Sequence, residues 1–430
     1  MTNRAGAQQR IHLATSIALG VAAVLLAVAG LTTAAAGPAA VNRSLAAKAA
    51  PAPPPPPPAA VLSLLTGSIT PANTAPGQTA HGQTAPINPA TPISPSTPIS
   101  VSVAHGTLRG VTVTDTKTGQ PVPGTLAPDA TSWQTSAPLS YADTYQIAAS
   151  ALGAQGRLVQ QTGTVATLHP AVLSAVSFRA VGMDTVGVGQ PVVVQFSKPV
   201  ADRAAAERAV QVVSTPAQPG AWYWMSNTEA HYRPASYWQP GSTIQVDANL
   251  FGADLGKGTF GQANRAQTLH VHDSWVAKAD GRTETMQIFH NGALLNTMPI
   301  SLGSPSHPSH NGPHVISDKK NSIIMDSCSY GVCQGDAGYY KEKVDLDLRI
   351  SNDGEFVHSA PWSVGQQGAR NVSHGCVNLS PANARWFFDH FNIGDVVEIA
   401  NSAGPPLPVW DTYGDWELSW PQWQAAGTSS

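Results

Sequence analysis

The chain has 430 residues, which is too long for one ordinary domain and favours two or three. Only 11% of the residues are charged and the formal net charge is −3, so the composition gives no reason to expect a nucleic-acid partner. Proline and glycine are abundant but unevenly spread, so the chain is divided into segments of different composition that indicate different structures.

Residues 1–36 have the pattern of a targeting segment. Arg4 and Arg10 precede an uncharged run of apolar and small residues over 13–31. As a helix, a run of about 19 residues is long enough to cross a bilayer, while the small residues at 32–37 suit signal-peptide cleavage. We expect either a membrane anchor or a cleaved signal peptide, and in both cases a chain exported to the cell envelope, outside the cytoplasm.

Residues 37–99 have the composition of a linker. They contain six consecutive prolines, Pro53–Pro58, and repeat the motif TPIS over 91–100. Such a composition cannot bury a core and favours extended polyproline II structure, at about 3.1 Å per residue. We expect an extended spacer between the targeting segment and the folded part of the chain.

The next 170 or so residues have the pattern of short β-strands. Apolar and polar residues alternate in segments such as QPVVVQFSKPV (190–200) and TIQVDAN (243–249), and turn residues separate these segments. This spacing is typical of β-sandwiches. We expect two immunoglobulin-like modules, at 100–171 and 172–269, which serve as spacers or docking modules.

His, Cys and Ser occur close together in the last third of the chain. The segment EFVHSAPW (355–362) has strand character, and SHGCVN (373–378) follows a loop rich in Gly and Gln. Ser380 and Pro381 then match the N-cap and the first position of a helix. We expect a mostly β domain over 270–401, with a short helix directly after the SHGCVN motif.

The residues around Cys376 suit nucleophilic thiol chemistry. An unperturbed thiol has a pKa of about 8.5, so a nucleophilic cysteine needs a nearby base. His358 ends a predicted strand, and the loop that follows can fold back to bring Cys376 beside it. The N–H groups of Gly375 and Cys376 could then stabilise an oxyanion, and Ser359 could hold the imidazole in one tautomer.

This arrangement resembles the signature of the L,D-transpeptidases, in which a His is followed, after a loop, by Ser/Thr-His-Gly-Cys-x-Asn. Here His358 is followed by Ser373-His374-Gly375-Cys376-Val377-Asn378, and every fixed position matches. The similarity includes IIMDSCSYGV (323–332) and the whole layout of the mycobacterial and related actinobacterial members. That layout is a membrane segment, two immunoglobulin-like modules, a catalytic domain and a tryptophan-rich tail.

The resemblance implies an enzyme that forms 3→3 cross-links in peptidoglycan. Cys376 would attack the bond between diaminopimelate and the terminal D-Ala of a donor tetrapeptide stem, and an acceptor diaminopimelate amine would resolve the resulting thioester. His358 would act as general base and then acid, oriented by Ser359. His374, Gly375 and Cys376 would line the oxyanion hole. The same thiol would be acylated by carbapenems.

The resemblance also implies a lid over the site and a set of substrate contacts. By position these contacts are Met325, Tyr330, Tyr340, Trp362, Asn378 and the turn Asp353–Gly354. Some of these residues could instead belong to the core or make local hydrogen bonds. The lid also contains the other two cysteines, Cys328 and Cys333, and an oxidising compartment favours a disulfide between them over two free thiols.

Histidine-rich segments raise the possibility of a metal site. His307, His310 and His314 are spaced like ligands, and His270 and His272 form a His-x-His pair. The first group lies among Pro, Ser, Asn and Gly, without a convincing carboxylate or thiolate companion, so we expect neither a metal nor a cofactor.

Residues 402–430 form a tryptophan-rich C-terminal extension. So many aromatic side chains rarely stay exposed, and we expect them to pack on the catalytic domain.

Other functions remain open from the sequence. With water as the acceptor, the same thiol chemistry would give an L,D-carboxypeptidase, and with a protein amine it would anchor proteins to peptidoglycan. A non-catalytic cell-wall-binding protein would depend on the β modules alone. The residues near Cys376 do not separate the first two alternatives, because acceptor choice depends on the shape of the pocket and on water exclusion.

Overall fold

The computed structural model describes residues 56–67, 85–179, 183–336 and 339–427. The expected targeting segment at 1–36 lies outside these residues, as does most of the expected linker. In the part of the chain that is described, no helix is both long and apolar enough to cross a membrane. The described residues are mainly β-strand, which confirms the expected fold class.

The first module is a sandwich of two antiparallel sheets. Its strands are β1 Val61–Thr66, β2 Ala85–Pro86, β3 Ile99–Ala104, β4 Gly106–Asp115, β5 Gly124–Leu126, β6 Ser132–Thr135, β7 Thr144–Gly153 and β8 Leu158–Ala166. One sheet has the order β2-β1-β3-β6-β5 and the other β4-β7-β8. Alternate residues of each strand face inward, so Leu64, Val101 and Ile147 meet in one core.

Strand β1 corrects the expected linker at 37–99. It pairs with β3 along its whole length and buries Leu62 and Leu64. The sequence VLSLLT has enough apolar residues for a strand, but the proline-rich composition around it concealed a six-residue segment whose partner lies far along the chain. The first module therefore includes residue 61 and does not start at residue 100.

The second module is another β-sandwich. Its strands are β9 Val172–Ser174, β10 Val176–Phe178, β11 Thr185–Val186, β12 Val192–Phe196, β13 Val210–Thr215, β14 Gly220–Trp224, β15 Glu229–Pro234, β16 Thr243–Ala248, β17 Thr259–Gly261 and β18 Arg265–Val271. The main sheets have the orders β10-β12-β15-β14 and β11-β18-β16-β13, and β9 pairs with β17. Helix α1, Arg203–Ala209, begins where the Asp202 carboxylate accepts a hydrogen bond from the Ala205 N–H.

The third domain places two sheets around the SHGCVN motif. Its strands are β19 Trp275–Asp280, β20 Thr285–His290, β21 Ala293–Pro299, β22 Gly312–Val315, β23 Asp318–Asp326, β24 Lys341–Arg349, β25 Phe356–Ser359, β26 Val377–Leu379 and β27 Val396–Ala400. The sheets have the orders β21-β20-β19-β27-β22 and β23-β24-β25-β26. Their inner faces share one core that includes Ile288, Leu348 and Val397.

Helix α2, Pro381–His390, directly follows β26, as the sequence predicts. The Ser380 hydroxyl accepts a hydrogen bond from the Asn383 N–H at 3.3 Å, and Pro381 occupies the first turn. Ala384 and Phe387 are buried, and the helix packs against β24, β25 and β26. The helix thus anchors the strand that carries the end of the motif.

The C-terminal extension packs on the catalytic domain through its first residues and on the second module through its later ones, so the expectation that it packs on the catalytic domain is right only in part. It contains a 3-10 helix, Gly414–Glu417, and helix α3, Trp420–Gly427. The Trp423 indole N–H donates to the Ala221 carbonyl at 2.9 Å, and its ring stacks on Tyr223. Tyr413 packs between Val193 of the second module and Val315 of β22, so the extension joins the two domains.

Candidate active site

One cavity brings together most of the predicted site residues. Its volume is about 270 Å³, and its lining residues come from β23, β24 and β25, from the segments next to them, and from β26 and the loop before it. These residues are Met325, Tyr340, Glu342, Val344, His358, Trp362, Val372, Ser373, His374, Cys376 and Asn378. Glu342, Val344 and Val372 lie outside the fixed positions of the motif and were not predicted as site residues, whereas Ser373 is the first residue of the motif but was given no role.

The turn that carries Cys376 is fixed by hydrogen bonds from two serines. Gly375 has a φ of 119°, a backbone conformation that favours glycine. The Ser373 hydroxyl donates to the Cys376 carbonyl at 2.6 Å, and the Ser309 hydroxyl donates to the Gly375 carbonyl at 2.5 Å. Because both carbonyls are held, the main chain of the turn presents Cys376 to the cavity in one conformation.

The Cys376 thiol is buried and protonated. Burial raises its pKa to about 12, and the carboxylates of Glu355 and Asp347 also favour the protonated form. The thiol faces the Gly354 carbonyl at 3.7 Å, where it can donate a weak hydrogen bond. Cys376 is also the free cysteine among the described residues. A base must therefore take its proton when the sulfur attacks a substrate.

His358 is a neutral imidazole with its basic nitrogen available. It lies in β25 opposite Asn378 of β26, and it is 3% exposed. Its Nδ1 lies 2.9 Å from the Ser359 carbonyl, and a carbonyl can only accept, so Nδ1 carries the proton and Nε2 is the basic nitrogen. The side chain of Asn378 also hydrogen-bonds to the imidazole. Burial lowers the pKa of His358 to about 4. Ser359 thus orients His358 through its main chain, although its own side chain does not line the cavity.

The expected oxyanion donors are only partly free. The Gly375 N–H donates to the Ser373 hydroxyl at 3.2 Å, so a substrate oxygen would have to displace that contact. His374 lies at the rim of the cavity, with its ring centre 5.1 Å from that of Tyr340 and 4.7 Å from that of His307. Burial and the nearby His307 lower the pKa of His374, which favours its neutral form.

One expected substrate contact, the Asp353 side chain, does not line the cavity, and another, Tyr330, is not described there. The Asp353 carboxylate accepts a hydrogen bond from the Ser351 hydroxyl and does not line the cavity, although the neighbouring Gly354 reaches Cys376 through its carbonyl. Tyr330 ends a 3-10 helix, Ser327–Tyr330, but its side chain lies outside the described part of the structure. The turn at 353–354 therefore contributes backbone rather than a side chain.

A buried carboxylate supports the nucleophile turn from behind. Glu355 accepts hydrogen bonds from the His310 backbone N–H at 2.8 Å and from its Nδ1 at 3.1 Å, and it lies 3.3 Å from Nε2 of His314. Burial raises the pKa of Glu355, but the two imidazoles outweigh it and the net shift is downward. Among the described residues, no group of three His, Cys, Asp or Glu side chains could hold a metal ion. His310 and His314 thus pair with Glu355 in the fold.

The lid is the hairpin β23–β24 with its connecting loop. Cys328 and Cys333 are joined there by a disulfide, with their Cα atoms 4.1 Å apart. At the base of the loop, the Asp326 carboxylate accepts from the Cys328 N–H and pairs with Lys341 at 2.8 Å. The disulfide and the ion pair both restrain the loop that carries Met325 and Tyr340 on either side.

Two protein-family models match the chain. Residues 90–254 match a bacterial Ig domain, and residues 274–399 match the YkuD L,D-transpeptidase catalytic domain. The second match contains Cys376, His358 and the lid. Its limits begin in the segment before β19 and end within β27, so it covers both sheets of the third domain.

Curated relatives cover most of the chain. L,D-transpeptidase 2 of Mycobacterium tuberculosis (strain CDC 1551 / Oshkosh) is 41% identical over 330 residues, which are 77% of this chain and 80% of that protein. L,D-transpeptidase 5 of Mycobacterium tuberculosis (strain ATCC 25618 / H37Rv) is 32% identical over 75% of this chain and 71% of that protein. A crystal structure of L,D-transpeptidase 3 from Mycobacterium tuberculosis matches with 32% identity and a TM-score of 0.45, over 53% of this chain and 98% of that one.

Proposed function

Because this chain belongs to the L,D-transpeptidase family, we propose that it forms 3→3 cross-links in peptidoglycan through a thioester on Cys376. The observation that carries the proposal is the shared cavity of Cys376 and His358. In that cavity, a protonated free thiol accompanies a neutral imidazole whose Nδ1 is held by the Ser359 carbonyl. A nucleophile and an oriented base are the two groups that acyl transfer requires.

In the acylation step, the sulfur of Cys376 attacks the carbonyl carbon of the donor diaminopimelate while Nε2 of His358 takes the thiol proton. The C–N bond to D-Ala then breaks, and His358 returns the proton to the departing amine. The products are a thioester and free D-Ala. Separated charges are costly in a buried site, so a neutral pair that transfers its proton during the attack suits this cavity better than a preformed ion pair.

In the second step, the side-chain amine of an acceptor diaminopimelate attacks the thioester carbonyl. His358 takes a proton from the attacking nitrogen and passes it to the sulfur as the C–S bond breaks. The products are the 3→3 amide and the free enzyme. Met325, Tyr340, Trp362 and Asn378 line the cavity and would contact the two stems.

The exposed ring of Trp362 lies beside His358, with ring centres 5.9 Å apart. This position suits an apolar cover over the reacting carbonyl. A carbapenem would enter the same cavity and acylate Cys376 through its strained lactam carbonyl. The apolar segment at 13–31 would hold the enzyme at the outer face of the membrane, or direct its secretion into the cell wall.

Intact-protein mass spectrometry tests the proposal. The full chain and its Cys376→Ala variant are incubated with a disaccharide-tetrapeptide, and the masses of the protein and of the products are measured. We expect a thioester on the wild type and a cross-linked dimer that has lost D-Ala, with neither species from the variant. A tripeptide product alone would make water the acceptor and the chain a carboxypeptidase. Neither thioester nor product would favour a non-catalytic wall-binding protein.

A further inference from the structure

Strand β24 presents one acidic side chain to the cavity. Side chains alternate along a strand, so Glu342 and Val344 face the cavity together with Tyr340, which directly precedes the strand. Lys341 and Lys343 point the other way. The sequence YKEKV therefore separates an acidic inner face from a basic outer face.

The carboxylate of Glu342 is not neutralised within the cavity. Of the described residues that line the cavity, Glu342 is the one acid and none is a Lys or Arg. The two neighbouring lysines are engaged elsewhere, Lys341 with Asp326 at 2.8 Å and Lys343 with Asp345 at 3.7 Å. The cross-strand neighbour of Glu342 is the apolar Met325. The cavity therefore attracts a positive charge at this point.

The chemistry of the two steps decides which part of the substrate meets Glu342. His358 must reach both the departing amine of D-Ala and the attacking amine, so both occupy the side of the cavity next to His358 and Trp362. The acylating residue then extends away from His358, toward the part of the cavity lined by Tyr340 and His374. Glu342 lies in that part, because it is two residues from Tyr340 on the same face of the hairpin.

We propose that Glu342 is a specificity-determining residue that binds the side-chain ammonium of the donor residue whose carbonyl acylates Cys376. The proposal rests on the proposed transpeptidase function and deepens it. The preferred donors are stems with a free side-chain ammonium at the acylating position, and donors that lack this ammonium react more slowly. The selectivity arises from the electrostatic attraction between the donor ammonium and the Glu342 carboxylate, and no further contact is required.

A thermodynamic cycle that combines two donor substrates with two enzyme variants tests the proposal. One donor is a tetrapeptide stem with a free side-chain amine, and the other carries the same amine acetylated. First-turnover release of D-Ala is measured with the full-length wild type and with Glu342→Gln. We expect the wild type to prefer the free amine by about fivefold, a typical size for a partly exposed ion pair. The variant should lose most of this preference, and any size effect of the acetyl group cancels in the cycle.

Two controls make the result specific. Lys343→Gln changes a charge on the outer face of the same strand and should keep the wild-type preference. Glu342→Lys should reverse the preference, and high salt should weaken the preferences of both the wild type and Glu342→Lys. An equal preference in wild type and Glu342→Gln, with D-Ala still released, would overturn this proposal and leave the transpeptidase function intact. No D-Ala release from either donor with the wild type would overturn both.

Discussion

Two buried histidines in this protein have opposite charge states. His358 in the cavity is 3% exposed and His231 in the second module is 1% exposed, so both lose almost all contact with water. Burial lowers the pKa of His358 to about 4. Burial also acts downward on His231, but two neighbouring carboxylates outweigh it and raise the pKa to about 9.

The partners of the ring nitrogens explain the difference. Nδ1 of His231 lies 2.7 Å from Asp415 and Nε2 lies 2.8 Å from Glu229, so both nitrogens donate and the ring is an imidazolium. His358 instead faces a backbone carbonyl through one nitrogen and the cavity through the other. His231, charged between two carboxylates, links the second module to the C-terminal extension. His358 has no carboxylate partner, so it stays neutral and can accept a proton. Removing the base, the thiol proton or either acid should each alter this contrast in a measurable way.

The largest effect should follow the loss of the base. His358→Gln keeps a polar side chain of similar size but cannot take the thiol proton, so first-turnover thioester formation should fall by about 10³-fold. Stopped reactions analysed by mass spectrometry measure this rate. Ser363→Ala provides a control nearby, because Ser363 contacts Asn378 and not the sulfur. A loss below tenfold in His358→Gln would mean that another group takes the proton.

The next effect concerns the reactivity of the thiol itself. Only a thiolate reacts rapidly with iodoacetamide, and a pKa of about 12 leaves few thiolates at pH 7. We expect alkylation of Cys376 at pH 7 to be at least about 100-fold slower than that of an unperturbed thiol of pKa about 8.5. The rate should rise about tenfold per pH unit up to pH 10. A plateau near pH 7 would instead indicate a thiolate–imidazolium pair, and the contrast with His231 would fail.

The sequence predicted the residues of the cavity better than the residues that hold them in place. Cys376, His358 and Asn378 belong to one short motif, and they do line one cavity. Glu355 lies only three residues before His358. It was not predicted, because its structural role depends on a hydrogen bond from His310, which the fold brings from a distant loop. Glu342 was missed for the same reason, since only strand alternation and the lid hairpin place it over the cavity.

The fold shows a similar limit. Local patterns indicated β12, β16 and the capped helix α2, because alternation and capping are properties of consecutive residues. Strand β1 was missed because its partner β3 lies more than thirty residues away and prolines surround it. The docking of the C-terminal extension on the second module was likewise missed, since Arg233 and Asp415 meet only in the folded chain.

A third prediction removes an acid from His231. Asp415 is fully buried, so Asp415→Asn leaves an imidazolium with one carboxylate and should lower the free energy of unfolding by about 2–3 kcal/mol. Urea unfolding, followed by the fluorescence of the C-terminal tryptophans, measures the change. Asp389→Asn is the matched control, because Asp389 forms an exposed pair with Arg385 and its loss should cost less than about 0.5 kcal/mol. Equal losses in the free energy of unfolding for the two variants would show that the buried His231–Asp415 pair stabilises the protein no more than an exposed pair does.

The smallest effect is the pH dependence that His231 gives to stability. Its folded pKa of about 9 exceeds the ordinary value of 6.5, so its contribution is complete below pH 6.5 and is lost as the pH rises to 9. Asp347 and Glu417, whose folded pKa values are raised to about 7, finish ionising just above that pH and add a smaller loss in the same direction. We therefore expect a loss of about 2 kcal/mol between pH 7 and 9 in urea unfolding. His358 titrates near pH 4 and contributes nothing in this range, so a flat profile would mean that His231 is neutral and that the two histidines do not differ.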